Sequence, residues 1–404
     1  MEETREQALS DLKIVDLSES IAGPFCTRLL AGFGAEVIKV EKPGKGDSSR
    51  SVGPFLKNDP NSEKSGLFNY LNTGKKSITL NLESKIGNKI LNDLINESDI
   101  LVESYSPGVM ASLGLSYELL KDINPRLIMA SVSGFGQNGP YRDYKSGELI
   151  AQAMGGLLYC IGDVGSQPIK LGGSQAEYST GLLTFIAILG ALCYRDNNGV
   201  GQYIDISLME SVAATLGPTT ISTYSFTGII GGRGIKRFIL GHPSNVYPCK
   251  DGYIHVIPLP GGMPSLALLL GDPDLEKHPL FIDHVARQMH ADEFDDIFLL
   301  PWLNQHKKRE IEEKAQELRM TFYAVRPLDE ILEAPQLRAR DFLVNVNHPV
   351  LGEIAYPGAP FKMSGSPWHL ERSPLLGEHN EEIYCQRLSY TQEDLIKLKE
   401  LAIM

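Results

Sequence analysis

The chain is 404 residues long, enough for two or three domains of ordinary size. Hydrophobic residues make up 42% and charged residues 22%, a globular balance that excludes disordered and fibrous classes. The formal net charge of -12 argues against nucleic acid or an anionic membrane as a partner, yet leaves room for a local basic pocket. The five cysteines, Cys26, Cys160, Cys193, Cys249 and Cys385, are scattered and form no CxxC, so a reducing, cytoplasmic setting is expected. The opening residues Met1 to Glu6 are charged and lack the apolar stretch of a signal peptide. The longest apolar run, Gly181–Tyr194, falls short of the roughly 20 residues of a bilayer span and reads as a buried helix.

Strand and helix signals alternate through the first 200 residues. Lys13–Leu17 is a short buried-strand pattern, and Pro24 suits the first turn of a helix running to Gly32–Gly34. Ala35–Glu41 reads as a second strand, so this unit implies a right-handed parallel crossover. Further strands are expected at Lys76–Leu82, Asp99–Val102, Leu127–Ser131 and Gln202–Ile206. Helices are expected at Gly87–Glu97, Ser116–Ile123 and Glu177–Tyr194. The pattern is that of an α/β fold with a parallel sheet covered by helices. After about Gly217 the character changes. Ser222–His242 is rich in glycine and aromatic residues and reads as a mobile loop. Asn245–Pro248 and Tyr253–Ile257 flank a Lys250-Asp251-Gly252 turn, a hairpin signal. Residues 262–332 read as mostly helical, and the tail around His348–Gly358 as strand and turn.

Gly134-Phe-Gly136-Gln-Asn-Gly139 matches GxGxxG, but Pro140-Tyr141 follows where a dinucleotide site needs an apolar helix. The glycines read instead as a place where a ligand or neighbouring backbone approaches closely. The nine histidines show no HExxH and no paired metal spacing, and no GxSxG occurs. No metal site is expected. His242 sits in a glycine-rich loop, either lining a pocket or without a role. Glu148 and Glu177 carry more chemistry. Each stands at or near the start of an apolar segment, where an acid can stabilise a helix by about 0.3–1 kcal/mol. A carboxylate placed there can also attack an activated carbonyl and form an acyl anhydride. Lys39, Lys42, Lys45, Arg50, Lys75, Lys76, Lys85 and Lys145 cluster in the first 150 residues, either as a solvated surface or as point charges for phosphates.

One family brings these features together. The blocks that carry the resemblance are Leu12–Leu17, Ala22–Thr27, Gly34–Glu41, Asn72–Leu82, Asp99–Gly108, Ile123–Ile128, Ser133–Tyr141, Ala151–Gly156, Gly199–Glu210 and Pro335–Arg340. Across them the chain resembles the family III CoA-transferases, which include formyl-CoA:oxalate and carnitine-type CoA-transferases and α-methylacyl-CoA racemase. The resemblance implies a Rossmann-like large domain built from both chain ends plus a smaller α+β domain. The expected division is 1–220, 221–335 and 336–404, the last returning to the large domain. It also implies an interlocked homodimer, coenzyme A or acyl-CoA as substrate with a carboxylic acid as co-substrate, and no permanently bound cofactor.

The resemblance also places a catalytic carboxylate. The family aspartate precedes the apolar helix in a Gly-Asp-x-x-x-Gly context, and Glu177 stands there in Ala176-Glu177-Tyr-Ser-Thr-Gly181. Glu148 matches a second acidic position. The racemase branch carries a histidine beside that acid, where this chain has Gly147, which argues against two-base racemisation. The implied CoA contacts are Ser20, Ile21, Lys42, Leu80, Lys85, Ser104, Tyr105 and Lys145. Lys85 stands in for a lysine whose place Glu83 occupies. Ile21 replaces a polar residue of oxalate-specific enzymes and points to a less polar acid. The expected reaction is transfer of CoA between an acyl-CoA and a carboxylic acid through an enzyme carboxylate. An acyl-CoA isomerase, racemase or intramolecular transferase, and a catalytically impaired CoA-binding protein, are the alternatives.

Overall fold

The computed structural model describes residues 7–162, 166–216, 221–230, 242–257, 262–279 and 284–404. The chain divides into a larger unit, Met1–Leu158 with Lys170–Ile230 and Arg338–Met404, and a smaller one, Tyr159–Ile169 with Gly231–Leu337. In this division 221–230 groups with the larger unit, and 159–169 and 336–337 with the smaller.

Six short strands build the larger unit: β1 (Lys13–Asp16), β2 (Glu36–Glu41), β3 (Lys76–Thr79), β4 (Ile100–Glu103), β5 (Ile128–Ser133) and β6 (Tyr203–Ser207). All neighbours are parallel and the order is β3-β2-β1-β4-β5-β6. Their inner strands read as continuous apolar runs because helices cover both faces of a parallel sheet. The order is that of the doubly wound dinucleotide-binding fold, and β1 and β4 meet at its switch point. Ligands of such sheets bind outside the carboxyl ends of those two strands.

Helix α1 (Ala22–Gly32) connects β1 to β2, and α2 (Lys85–Asn96) precedes β4. In α2, Ile90, Leu91, Leu94 and Ile95 recur at helical spacing and are fully buried, while Ser84 Oγ caps the start by accepting from Gly87 N at 2.9 Å. Burying one such leucine contributes about 1.5–3 kcal/mol. Two further helices frame the candidate site, α3 (Glu148–Met154) and α4 (Gln175–Asn198). α4 is longer than the sequence reading allowed, and by length and composition alone it could cross a membrane. Its Ala176, Thr180, Gly181, Thr184, Ile188, Ala191, Leu192 and Arg195 are nonetheless buried at helical spacing, the stripe of a helix packed on a core. Gly199, at φ +77°, ends it. Ser222–Thr227, expected as loop, is a short helix.

The smaller unit has an antiparallel sheet of β7 (Asn245–Cys249), β8 (Gly252–Ile257) and β9 (Thr321–Ala324), in that order. Pro248 is tolerated because β7 is an edge strand. Helices α5 (Met263–Leu270) and α6 (Lys308–Glu317) close a core of Ile254, Val256, Leu266, Phe294, Leu303, Ile311 and Phe322. The chain then returns through the hairpin β10 (Leu343–His348) and β11 (Gly352–Pro357) to α7 (Gln392–Glu400). Leu395 and Leu398 of α7 share a core with Ile90 and Leu94 of α2, so both chain ends build the larger unit.

Candidate active site

α4 begins without help from its own N-cap, since the Ser174 side chain makes no capping bond. Glu148, the first residue of α3, supplies the acceptors. Its Oε1 takes the Ala176 N–H at 3.1 Å and its Oε2 takes the Glu177 N–H at 3.0 Å. Gln152, fully buried one turn on, donates to Glu148 Oε1 at 2.5 Å. The helix-stabilising role open to Glu177 in the sequence is therefore held by Glu148, a carboxylate at the positive end of the α4 dipole.

The Glu177 carboxylate is turned instead toward the start of α1. Ile21, the N-cap of α1, offers no side-chain acceptor, and the backbone N–H groups of Ala22 and Ile21 face Glu177. Gly181 makes the approach possible: a Cβ there would lie 2.6 Å from the Ala22 carbonyl oxygen. Tyr178 packs edge-on to Phe25 with ring centroids 4.9 Å apart, which locks the two helices in register. Burial pushes the Glu177 pKa above the ordinary carboxylate value, and the charge of Glu148 adds to the rise. The two α1 N–H groups oppose it. The result is a half-buried, basic carboxylate held between two helix N-termini.

A groove of about 280 Å³ lies at the carboxyl ends of β2, β3 and β4. Lys42, Leu80 and Tyr105 line it together with Glu19, Asn81, Leu82 and Glu83. Lys42 Nζ stands 3.5 Å from Glu83 Oε1, both side chains exposed, so the lysine is free to exchange partners. Ser104 ties the switch point together: its Oγ accepts from Glu19 N at 2.8 Å and lies 3.2 Å from Glu19 O. Ser20 follows at φ +68°, an exposed non-glycine residue in the left-handed region. Ile21 is buried. Thus Glu19 lines the groove while Ile21 and Ala22 face Glu177, and one turn of chain joins the two. Next to the groove, the buried Glu103 accepts from Tyr105 N at 2.7 Å, and burial pushes its pKa up to about 7. It lines a second cavity of about 300 Å³ with Ser131, Gln137 and Tyr203.

Other expected residues fall elsewhere. Lys85 opens α2, exposed and outside the groove lining, and Lys145 is exposed three residues before Glu148. Of the eight clustered basic residues, Lys39, Arg50 and Lys75 are buried in ion pairs and unavailable to a ligand. The GxGxxG loop leaves β5 with Gly136 and Gly139 at φ +85° and +87°. Gln137 N is bound to Asp205, and the next helix starts only at Glu148. His242 is buried in the smaller unit, its Nε2 2.9 Å from Asp295 Oδ1. Glycines 231, 232, 234 and 241 lie outside the described residues. Among the described residues no group of three or more His, Cys, Asp or Glu is arranged to hold a metal. The sequence reading missed Asp16, Ser18, Glu19 and Asn81. Their only signal was position, at or within three residues of the carboxyl end of a strand of a parallel sheet.

The model of CoA-transferase family III matches residues 9–380. The chain belongs to this family. Two similar proteins carry specific names. The succinyl-CoA–D-citramalate CoA-transferase of Chloroflexus aurantiacus is 35% identical over 97% of this chain and 96% of its own length. A formyl-CoA:oxalate CoA-transferase of Streptomyces avermitilis is 33% identical over 98% of this chain and 100% of its own. Among solved structures, a CAIB/BAIF family protein from Brucella suis superposes with a TM-score of 0.86 at 29% identity, covering 95% of this chain and 100% of that one. The enzyme is a CoA-transferase, and acyl-CoA and carboxylate are its substrate classes.

Proposed function

We propose that this transferase moves CoA from an acyl-CoA to a carboxylic acid with Glu177 as the nucleophile. The observation that carries the reading is the turn joining the groove to Glu177, with a basic carboxylate aimed at the α1 N-terminus. CoA lies along the groove, its adenine against Leu80 and its phosphates near Lys42 and Lys145. A Glu177 oxygen attacks the thioester carbonyl carbon. The C–S bond breaks and CoA leaves as thiolate, giving a mixed glutamyl anhydride. The thiolate attacks the Glu177 acyl carbon, the donor acid departs as carboxylate, and a glutamyl–CoA thioester remains. The acceptor carboxylate attacks this thioester and releases CoA thiolate. The thiolate then takes the acceptor acyl group from the second anhydride and frees Glu177. Burial supports the scheme, because a desolvated carboxylate is more basic and an anhydride survives where water is scarce. With the acyl-CoA donor alone, intact-mass and peptide mass spectrometry are expected to place one CoA on Glu177. An adduct on another residue, or none under turnover conditions, overturns the assignment.

The active form proposed is an interlocked homodimer. Leu182 and Ile186, on the outer face of α4, and Leu149 of α3 are 46%, 60% and 52% exposed, an apolar surface beside the site that suits coverage by a second copy. Sedimentation at micromolar concentration is expected to give the mass of two chains with no monomer on dilution, since threaded chains separate only by unfolding. A folded monomer contradicts it. A cytoplasmic setting accords with five free thiols.

A further inference from the structure

Beneath the turn that meets Glu177 lies a cluster of four charges, Asp16, Lys39, Asp47 and Lys75, each at most 4% exposed. Two acids and two lysines leave it neutral, as a buried cluster must be to persist. Lys75 Nζ lies 2.9 Å from Asp16 Oδ2 and Lys39 Nζ 2.6 Å from Asp47 Oδ2, while Lys39 and Asp16 are 3.8 Å apart. Such pairs are weak evidence for a role in stability, because desolvation offsets much of their attraction. Their remaining hydrogen bonds show what they hold. Asp16 Oδ1 accepts from Ser18 N at 3.0 Å and from Ser18 Oγ. Asp16 Oδ2 accepts from Thr27 Oγ1 at 2.7 Å. Lys39 Nζ donates to Ser18 O at 2.8 Å, and Lys75 Nζ to Pro24 O at 2.9 Å.

The bonded atoms bracket one stretch of chain. Ser18 is fixed through its N–H, its carbonyl and its hydroxyl, and the first turns of α1 through Pro24 and Thr27. Between these anchors the chain passes through Ser20 at φ +68° and presents the Ile21 and Ala22 N–H groups to Glu177. Gly23 seals the join, since a Cβ there would lie 2.3 Å from Ser18 Cβ. A non-glycine residue in the left-handed region persists only where its surroundings over-determine it. The charge cluster supplies that determination from below, and packing of α4 on α1 supplies it from above.

We propose that the buried Asp16–Lys75 pair, with Lys39, is a positioning device: it clamps the Ser18–Ala22 turn so that the Ile21 and Ala22 N–H groups stay aimed at the Glu177 carboxylate. This rests on the reading of Glu177 as the nucleophile. None of the clamp residues need touch substrate. The groups that face Glu177 are Glu148 from α3, Tyr178 on α4 itself and, from α1, the two backbone N–H groups. Loosening the clamp removes the influence that favours the charged carboxylate and leaves the two that disfavour it.

The test compares wild type, Asp16→Asn, Ser18→Ala and Glu177→Gln in one transfer assay across pH, with CoA affinity measured by titration calorimetry. Titration of the substrates is common to all four and cancels in the comparison. Asp16→Asn is expected to lower kcat on the order of 10²-fold, and Ser18→Ala about tenfold, with CoA affinity retained. In both, the acidic limb of the kcat/KM profile moves to higher pH. A lower melting temperature with an unmoved acidic limb means that the cluster only stabilises the fold, and overturns the proposal. Where Asp16→Asn does not fold, Ser18→Ala decides alone, because it removes a hydroxyl and no charge. A dead Glu177→Gln with wild-type profiles in the other two removes the clamp and spares the nucleophile. A Glu177→Gln enzyme with near-normal turnover removes both.

Discussion

Glu177→Gln is expected to lose transfer by about 10³-fold or more while remaining folded, because an amide cannot attack a thioester. The fold is expected to survive because the capping of α4 belongs to Glu148, and the amide keeps an oxygen facing the α1 N–H groups. Glu148→Gln is expected to behave differently. It keeps an oxygen for one of the two α4 N–H groups and loses about tenfold in kcat. It also removes a like charge that raises the Glu177 pKa. Glu177 must be ionised to attack, so activity is present above its pKa and is lost as pH falls through it. Removing the Glu148 charge therefore carries the acidic limb to lower pH, opposite to the shift expected on loosening the Asp16 clamp. Steady-state profiles of the two single variants check this. Near-normal turnover in Glu177→Gln with loss in Glu148→Gln would reverse the two roles.

Much of the larger unit was legible because its signals are local. Apolar runs such as Ile14-Val15 and Ile100-Leu101-Val102 mark buried strands, and the spacing of Ile90, Leu91, Leu94 and Ile95 marks a helix face. The candidate site residues rest on a different kind of signal. Lys42, Leu80 and Tyr105 do share one groove, yet nothing local joins residues so far apart in sequence. The strand order brings them together, by setting β2, β3 and β4 around the switch point. Lys85 and Lys145 are exposed and outside the lining of that groove, and a place in the chain does not fix where a flexible side chain goes. Which acid caps α4 was left open by the sequence. Glu177 has the position of a first-turn acid, but which acid accepts the N–H groups of α4 depends on how α3 docks, a tertiary fact with no pattern in the sequence. The GxGxxG motif misleads for the same reason: its glycines serve a loop bound to Asp205 of β6.

The basic residues near the N-terminus show most clearly how burial changes meaning, and Arg50 yields the largest expected effect on stability. In sequence it belongs with Lys42 and Lys45 as a phosphate candidate. In the structure its side chain is fully buried, with Nε 2.7 Å from Glu41 Oε2, Nη2 2.8 Å from Glu41 Oε1 and Nη1 2.8 Å from Glu63 Oε2. Its guanidinium lies 3.5 Å from the centre of the Phe68 ring, and Ser77 Oγ completes the cage by donating to Glu41 at 2.6 Å. Nη2 also reaches the Pro374 carbonyl at 3.3 Å, tying the returning C-terminal segment to the sheet. Arg50→Ala leaves the buried Glu41 carboxylate without its counter-ion. It is expected to cost about 3–5 kcal/mol in urea unfolding. Arg50→Met combined with Glu41→Leu is expected to recover much of that loss, because a matched apolar pair carries no desolvated charge. The surface reading predicts the reverse: Arg50→Met would weaken CoA binding in calorimetry and leave the unfolding midpoint unchanged. A loss below about 1 kcal/mol for Arg50→Ala, the range of an exposed ion pair, would show that the Glu41–Arg50–Glu63 cage is not what joins the two chain ends.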